Sequence, residues 1–476
     1  MREPNCFAGI DELRSGLFSG AFSPEDLVEE SLARIELVQP QLNCFVEVWA
    51  DQARERAAFL SGIDAETRQA QPLHAIPIAI KDTTPWLGQR MSQGSLTQRH
   101  HVADRTARVV ESLLRAGAII VGSTNTPEFA HASITDNRLW GPTLNPWDTT
   151  RSPGGSSGGA GAAVASGCVV LAEGSDMGGS VRIPAAWCGV SGLKPSLGRI
   201  PMDALPGLWD TLSHHGPLAR RVDDIWEFLL ATQGPSLADP WSNLFPLHDS
   251  RNSQRAADLR VGLSMDLGCW AVNPEIMTTI ESAATALREA GVRVEIVDLE
   301  FSAEDAELWL AMWSVFMAGY FGHLVDESRA DLDVDVVRLI EAGSRMSAAD
   351  YKRLELRRTL VWNRVMDTFR SCDVIMCPTM AQAPKPATKA EERSRTRPAQ
   401  DGLFHADDMT SVWNLVAPCP AISVPGGRFG PGPDEGLPIG VQFIGLPGRE
   451  DHILALARCL EEWSGSPQWR PPLTGP

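Results

Sequence analysis

The residues best suited to chemistry lie in two glycine–serine turns. Residues 153–184 read PGGSSGGAGAAVASGCVVLAEGSDMGGSVRIP, and the second turn, Asp176-Met177-Gly178-Gly179-Ser180, closes an apolar run at 168–173. Consecutive glycines let backbone N–H groups converge on an anion with no Cβ in the way. A serine at the end of such a run can act as a nucleophile while the same amides hold the oxyanion it creates. A serine hydroxyl is too weak an acid to do this unaided and needs a base. The ten histidines are poorly placed to serve as one. His100-His101 and His214-His215 are doublets in polar contexts and read as solvated or structural. Lys81 is better placed. It ends the apolar run Ile76-Pro77-Ile78-Ala79-Ile80, where burial would lower its pKa and leave a neutral amine. Standing alone, it would read as a surface lysine at a strand end.

Positioning these groups takes a sheet. Residues 107–116 form an amphipathic pattern closed by Gly117, and the buried run Ala118-Ile119-Ile120-Val121-Gly122 follows. The same helix–Gly–strand unit recurs at 275–297. These units predict an α/β fold with a twisted, mixed but mostly parallel sheet covered by helices on both faces. The small-residue helix at 159–167 lets backbones approach closely, and the strand after it delivers Asp176 to Ser180 at its carboxyl end, where ligands sit in open α/β sheets. The first 70 residues read as a helical layer. Ser23, Pro24 and Asp26 make a helix start, Leu27, Leu32, Ile35 and Leu37 form an apolar stripe, and a second helix covers roughly 51–60 and runs on towards 69. A long Gly/Pro/Asn/Ser loop occupies 131–160, a polar connection 234–258, an aromatic-bearing helical region 300–371, and an exposed loop 383–408. The organisation is a single domain over 1–476, with a catalytic core at 75–230.

Composition narrows the class. The chain has 476 residues, 43% of them hydrophobic, enough for a large core, and a net charge of −18. That charge argues against nucleic acid or an anionic membrane as the main partner. Nine scattered cysteines with no C-x-x-C pair suit reduced thiols in a cytoplasmic setting. The amino-terminal residues contain no apolar signal-like run, and no stretch of 18 uninterrupted apolar residues occurs. No His/Asp/Glu cluster at ligand spacing calls for a metal, and no organic cofactor is expected.

Three motifs in order, Ile80-Lys81-Asp82, Gly154-Gly155-Ser156-Ser157-Gly158-Gly159 and Asp176-Met177-Gly178-Gly179-Ser180-Val181-Arg182, resemble the amidase signature family of Ser-cisSer-Lys hydrolases. The spacings, 75 residues from Lys81 to Ser156 and 24 from Ser156 to Ser180, match that pattern. Gly122-Ser123-Thr124-Asn125, Asn145-Pro146, Gly192-Leu193-Lys194-Pro195, Gly216-Pro217-Leu218 and Pro438 to Gly445 look like further landmarks, so the resemblance covers roughly 20–465. It implies Ser180 as the acylating nucleophile and Ser156, after a cis peptide, as the bridging serine. Lys81 becomes the terminal base. It further implies an oxyanion hole of the Met177, Gly178, Gly179 and Ser180 amides, bracing by Ser157 and Asp176, and Arg182 as a buttress of the glycine–serine turn. Ser175 stands where Thr is frequent, and Ala160 where an acidic residue or serine can occur.

Other readings compete. Gly154 to Gly158 also fits the G-x-S-x-G elbow, but loop-like residues precede it and no Asp/His pair follows convincingly. Ser191-Gly192-Leu193-Lys194 fits S-x-x-K without the motifs that accompany it elsewhere. Some family members are glutaminase-type subunits of tRNA-dependent amidotransferases, which is an alternative of another class. Fifteen Trp against two Tyr, with Trp140 and Trp209 in loops and Trp313 and Phe316 in the helical region, point to a mouth for hydrophobic or aryl amides. Each of these aromatics reads equally as packing. Carbamates and anilides suit the same acyl-transfer machinery. The expected partners are therefore a small-molecule amide or carbamate and water, with a homodimer left open.

Overall fold

The structure, a computed structural model, describes residues 5–242, 245, 256–389 and 403–472. Eleven strands form one sheet: β1 Phe45–Val48, β2 Pro77–Lys81, β3 Ile119–Thr124, β4 Leu171–Asp176, β5 Ser191–Lys194, β6 His214–Ala219, β7 Arg260–Leu263, β8 Arg293–Ile296, β9 Val374–Pro378, β10 Ala421–Arg428 and β11 Pro438–Gly445. Their order is β1-β3-β2-β4-β6-β5-β10-β11-β9-β7-β8. Helices flank this mixed sheet within a single α/β domain.

The sheet is mixed as expected, but not mostly parallel. Parallel pairs occur at β3-β2-β4 and at β9-β7-β8, and the middle of the sheet, from β4 to β9, is antiparallel throughout. Connections explain the difference. Helix Arg108–Arg115 carries β2 over to β3 and helix Pro274–Glu289 carries β7 over to β8, which makes those pairs parallel. β10 reaches β11 through residues 429–437, and β5 reaches β6 through residues 195–213, both without a helix. β6 then enters between β4 and β5, which a sequence pattern cannot foresee.

The amino-terminal layer starts as its residues dictate. The Ser23 side chain accepts from the Asp26 N–H at 3.1 Å, Asp26 accepts from the Ser23 N–H at 2.7 Å, and Pro24 begins the helix Pro24–Leu42. Leu27, Leu32 and Ile35 are buried, but Leu37 is 55% exposed; Val28 and Val38 hold the inward face instead. Leu37 lies two residues beyond the buried Ile35, about 200° further round, on the other side of a 3.6-residue helix. The second helix stops at Ser61, and Asp64 caps a separate one, Ala65–Ala70, by accepting from the Thr67 N–H.

Residues 131–157 lack helix or strand, yet they are largely buried. Their backbone is satisfied by side chains: the Trp140 N–H donates to Asn137 Oδ1 at 2.7 Å, and the Trp147 N–H donates to Asn145 Oδ1 at 2.9 Å. The helical region comprises Ala303–Ser328, Val334–Ser344 and Ala348–Thr368. The first is long and apolar enough, by length and composition, to cross a membrane, and here it packs against the other two. Residues 243–244 and 246–255 of the polar connection, and 390–402 of the loop expected to be exposed, lie outside the described residues. The described ends of that loop are not uniformly exposed: Ala387 and Lys389 are buried.

Candidate active site

Lys81 is the last residue of β2, with β3 and β4 on either side and no solvent exposure. Its Nζ donates to Ser156 Oγ at 2.6 Å and to Ser175 Oγ at 3.1 Å. Burial pushes its pKa down to about 7, although Glu173 and Asp176 pull the other way. Ser156 follows a cis peptide bond from Gly155 and precedes the fully buried helix Gly158–Ala165. Gly159 has to be glycine, because a Cβ there would lie 2.4 Å from the Asn125 backbone nitrogen. The neighbouring Ser157 N–H donates to Ser180 O at 3.1 Å, tying the two turns together.

Ser180 sits between β4 and the helix Arg182–Cys188. Three ties fix the loop before it. Trp309 Nε1 donates to Met177 O at 2.8 Å, Thr410 Oγ1 donates to Gly178 O at 2.8 Å, and the Gly179 N–H donates to Asp176 Oδ1 at 2.8 Å. Gly179 was expected among the oxyanion donors, but its amide is spent on the Asp176 carboxylate. The Met177, Gly178 and Ser180 amides have no acceptor among the described residues.

Asp176 is wholly buried. Burial pushes its carboxyl up, but Arg182 and Asn414 outweigh that and hold it well below the usual range. Arg182 Nη2 donates to Asp176 Oδ1 at 2.9 Å and to Asn414 Oδ1 at 2.6 Å, and its Nη1 donates to Gln442 Oε1 at 2.6 Å. Arg182 therefore braces the second glycine–serine turn through Asp176, whose Oδ1 also accepts from the Gly179 N–H, and ties it to the β11 side of the sheet. A guanidinium reaches several acceptors at once, and which it finds depends on chain segments more than 200 residues away.

Two cavities meet at Ser180. One, about 310 Å³, is lined by Ser156, Ser175 and Ser180 together with Phe129, Trp313, Phe316, Tyr320 and Phe321. The other, about 410 Å³, shares Met177, Ser180 and Trp313 and adds His131, Asp335, Arg338 and Lys389. Trp313 and Phe316 thus lie where expected. Trp140 and Trp209 do not line either cavity. Trp140 donates from Nε1 to Ser92 Oγ at 2.9 Å under the Arg90 guanidinium, and Trp209 is 77% exposed with its edge to Trp241. A tryptophan's presence in a loop says nothing of the side it faces.

An amidase family profile matches residues 26–454. An acylamidase of Rhodococcus erythropolis is 33% identical over 97% of this chain and 96% of its own. A glutamyl-tRNA(Gln) amidotransferase subunit from a Synechococcus strain is 35% identical over 95% of this chain and 96% of its own. The crystal structure of a bacterial aryl acylamidase of the amidase signature family superposes with a TM-score of 0.89 and 29% identity, covering 98% of this chain and 99% of that one. This chain belongs to the amidase family. Members of that family and the acylamidase neighbours support an amide-hydrolysing enzyme.

In this amidase-family chain several site residues escaped the sequence reading. Glu173, two residues before Ser175 on β4, accepts at Oε2 from the Lys81 N–H and from Thr84 Oγ1, each at 3.0 Å. Its Oε1 meets His215 Nδ1 at 2.7 Å. The signal was an acidic residue inside an apolar strand. His214 and His215 are both buried in β6, structural as one of the two expected readings had it, and not solvated. Lys194 is buried too; it donates to the carbonyls of Pro195, Ala417 and Cys419, which suits a structural residue rather than an S-x-x-K base. Folding also gathers His131, Asp333 and Asp335, a set no sequence spacing revealed as possible metal ligands. The Lys389 ammonium lies 2.8 Å from both His131 Nε2 and Asp333 Oδ2.

Proposed function

We propose that this amidase-family chain hydrolyses the C–N bond of carboxylic amides bearing hydrophobic or aryl groups, through an acyl-enzyme on Ser180. Neutral Lys81 takes a proton from Ser156, and Ser156 takes one from Ser180 as its Oγ bonds to the acyl carbon. The oxyanion is held by the Met177, Gly178 and Ser180 amides. The relay returns the proton to the departing amine as the C–N bond breaks, and water then repeats the sequence on the ester. The observation that carries this reading is the buried 2.6 Å contact from Lys81 Nζ to Ser156 Oγ, with Ser156 and Ser180 on one cavity wall. An ammonium stripped of water there gives up its proton readily enough to serve as a base near neutral pH. The aromatic wall of Phe129, Trp313, Phe316, Tyr320 and Phe321 supports an aryl or alkyl group, and carbamates and anilides suit the same steps.

A second reading is supported by the likeness to a glutamyl-tRNA(Gln) amidotransferase component. There the same serine would release ammonia from glutamine for a partner. A panel of aryl amides, p-nitroanilides, carbamates and glutamine, with ammonia and aniline release measured separately, decides between them. Turnover of aryl amides by the isolated chain is expected. Glutamine turnover that needs a second protein would favour the amidotransferase reading.

A further inference from the structure

Lys81 has to be neutral to act, yet basic enough to take a proton, so something must set how far burial lowers its affinity for one. Around Lys81, β4 contributes Glu173, Ser175 and Asp176, the loop after β2 contributes Asp82, and the turn contributes Ser156. β3 contributes Ser123 and Thr124, neither of them charged. Asp176 is matched by Arg182. Asp82 turns away, accepting from the Ser92 and Gly94 N–H groups and from Ser92 Oγ. Glu173 is different: wholly buried, its carboxylate forms no ion pair with an arginine or lysine side chain among the described residues, and its ionisable partner is His215. Three donors hold it: the Lys81 N–H, Thr84 Oγ1 and His215 Nδ1. They outweigh burial, which pushes its carboxyl up, and keep it ionised.

We propose that Glu173, held by His215, is a positioning residue that sets the basicity of Lys81. The inference rests on Lys81 being the base of the proposed reaction. A carboxylate fixed at the backbone of Lys81, in a site with little water, favours the ammonium over the amine and restores part of the proton affinity that burial removes. His215 keeps that charge in place, because without its donor burial would drive the Glu173 carboxyl towards its neutral form. His215 also lines the aromatic cavity, so the pair links the substrate chamber to the base.

The test is the pH profile of kcat/KM for an aryl amide, measured on the full chain. Glu173→Gln retains acceptors for the Lys81 N–H and Thr84 but removes the charge. It should move the acid limb down by about one pH unit and lower the plateau roughly 3- to 10-fold, since a weaker base takes the proton less well. Glu173→Asp should return the limb to its wild-type position. His215→Leu should move the limb in the same direction as Glu173→Gln, and this variant decides the question if Glu173→Gln does not fold. Folded Glu173→Gln or His215→Leu enzyme with a lowered plateau and an unmoved limb would leave Glu173 a purely structural role and overturn the proposal. Lys81→Ala is run beside them. If it stays active, the proposed base and this inference fall together; if it is dead while the limb stays fixed in the Glu173 and His215 variants, this inference alone falls.

Discussion

Lys81 carries an amine whose pKa burial has pushed down to about 7 from the usual 10.5. In the proposed reaction the neutral form is the working one, so kcat/KM should climb about tenfold per pH unit below that point and level off above it. A flat profile from pH 5 to 9 on a substrate with rate-limiting acylation would refute a lysine base. The same shift affects stability. The fold binds one proton fewer than the unfolded chain between about 7 and 10.5, so this group destabilises the protein most at and below pH 7 and ceases to do so above pH 10.5. Lys81→Met should therefore be inactive and yet melt no lower than wild type at pH 7. Ser180→Ala should lose all acyl-enzyme formation with its melting temperature intact. Mass spectrometry of a slowly deacylated substrate reads that directly: an adduct mass still present in Ser180→Ala would move the nucleophile elsewhere.

The element that matters most is the turn between β4 and the helix Arg182–Cys188, pinned from outside by Trp309 and Thr410. Gly179 has φ +117, and a Cβ there would fall 1.9 Å from Thr410 Oγ1; at Gly178 it would fall 2.2 Å from Trp309. Either substitution must move the loop that aims the free amides. If these amides hold the oxyanion as proposed, losing one donor costs roughly 10²–10³ in rate, so Gly178→Ala should lower kcat by about that factor. Trp309→Ala in addition should relieve the clash; a double variant as impaired as Gly178→Ala alone would show that Trp309 does not govern the turn. The helix Ala303–Ser328 thus both lines the cavity with Trp313 and Phe316 and holds the turn before Ser180 through Trp309.

At the scale of the whole chain, the helix Val222–Thr232 meets the first and last α-helices through two carboxyls, Asp224 buried and Glu461 half-buried, both held in raised states by desolvation. Glu461 is pushed up to about 8 and accepts from the Val222 N–H at 2.7 Å; Asp224 is pushed up to about 7 and accepts from the Ile10 N–H at 2.9 Å. Both are protonated in the fold at a pH where the unfolded chain has released them. Their contribution is fully present below about pH 4 and is lost as pH rises through about 7 to 8. Across about pH 5 to 8 the wild type should therefore lose melting temperature relative to Glu461→Gln, whose neutral amide has no proton to release. An unchanged slope in that variant would show that other groups dominate.

The local facts were legible because they are written in short stretches. A lysine ending an apolar strand, two glycine–serine turns and their spacing determined which residues could meet and what chemistry they could do. The capping box at Ser23 and the helix–Gly–strand units were likewise local, so their positions held. Strand order was not local. The antiparallel middle of the sheet follows from β6 entering between β4 and β5, a choice made by packing surfaces that periodicity does not encode. The same holds for side chains whose role depends on distant partners. Arg182 turned to Asn414 and Gln442, the Gly179 amide to Asp176, and Trp140 and Trp209 away from the cavities. Glu173 showed in sequence only as an acidic residue in an apolar strand and His215 only as half of a doublet, since a buried charge acquires meaning only from the groups that tertiary structure brings within a few ångströms. Sequence alone determined the inventory of reactive groups and their order along the chain; the folded structure decided which hydrogen bonds each one spends and which it leaves for a substrate.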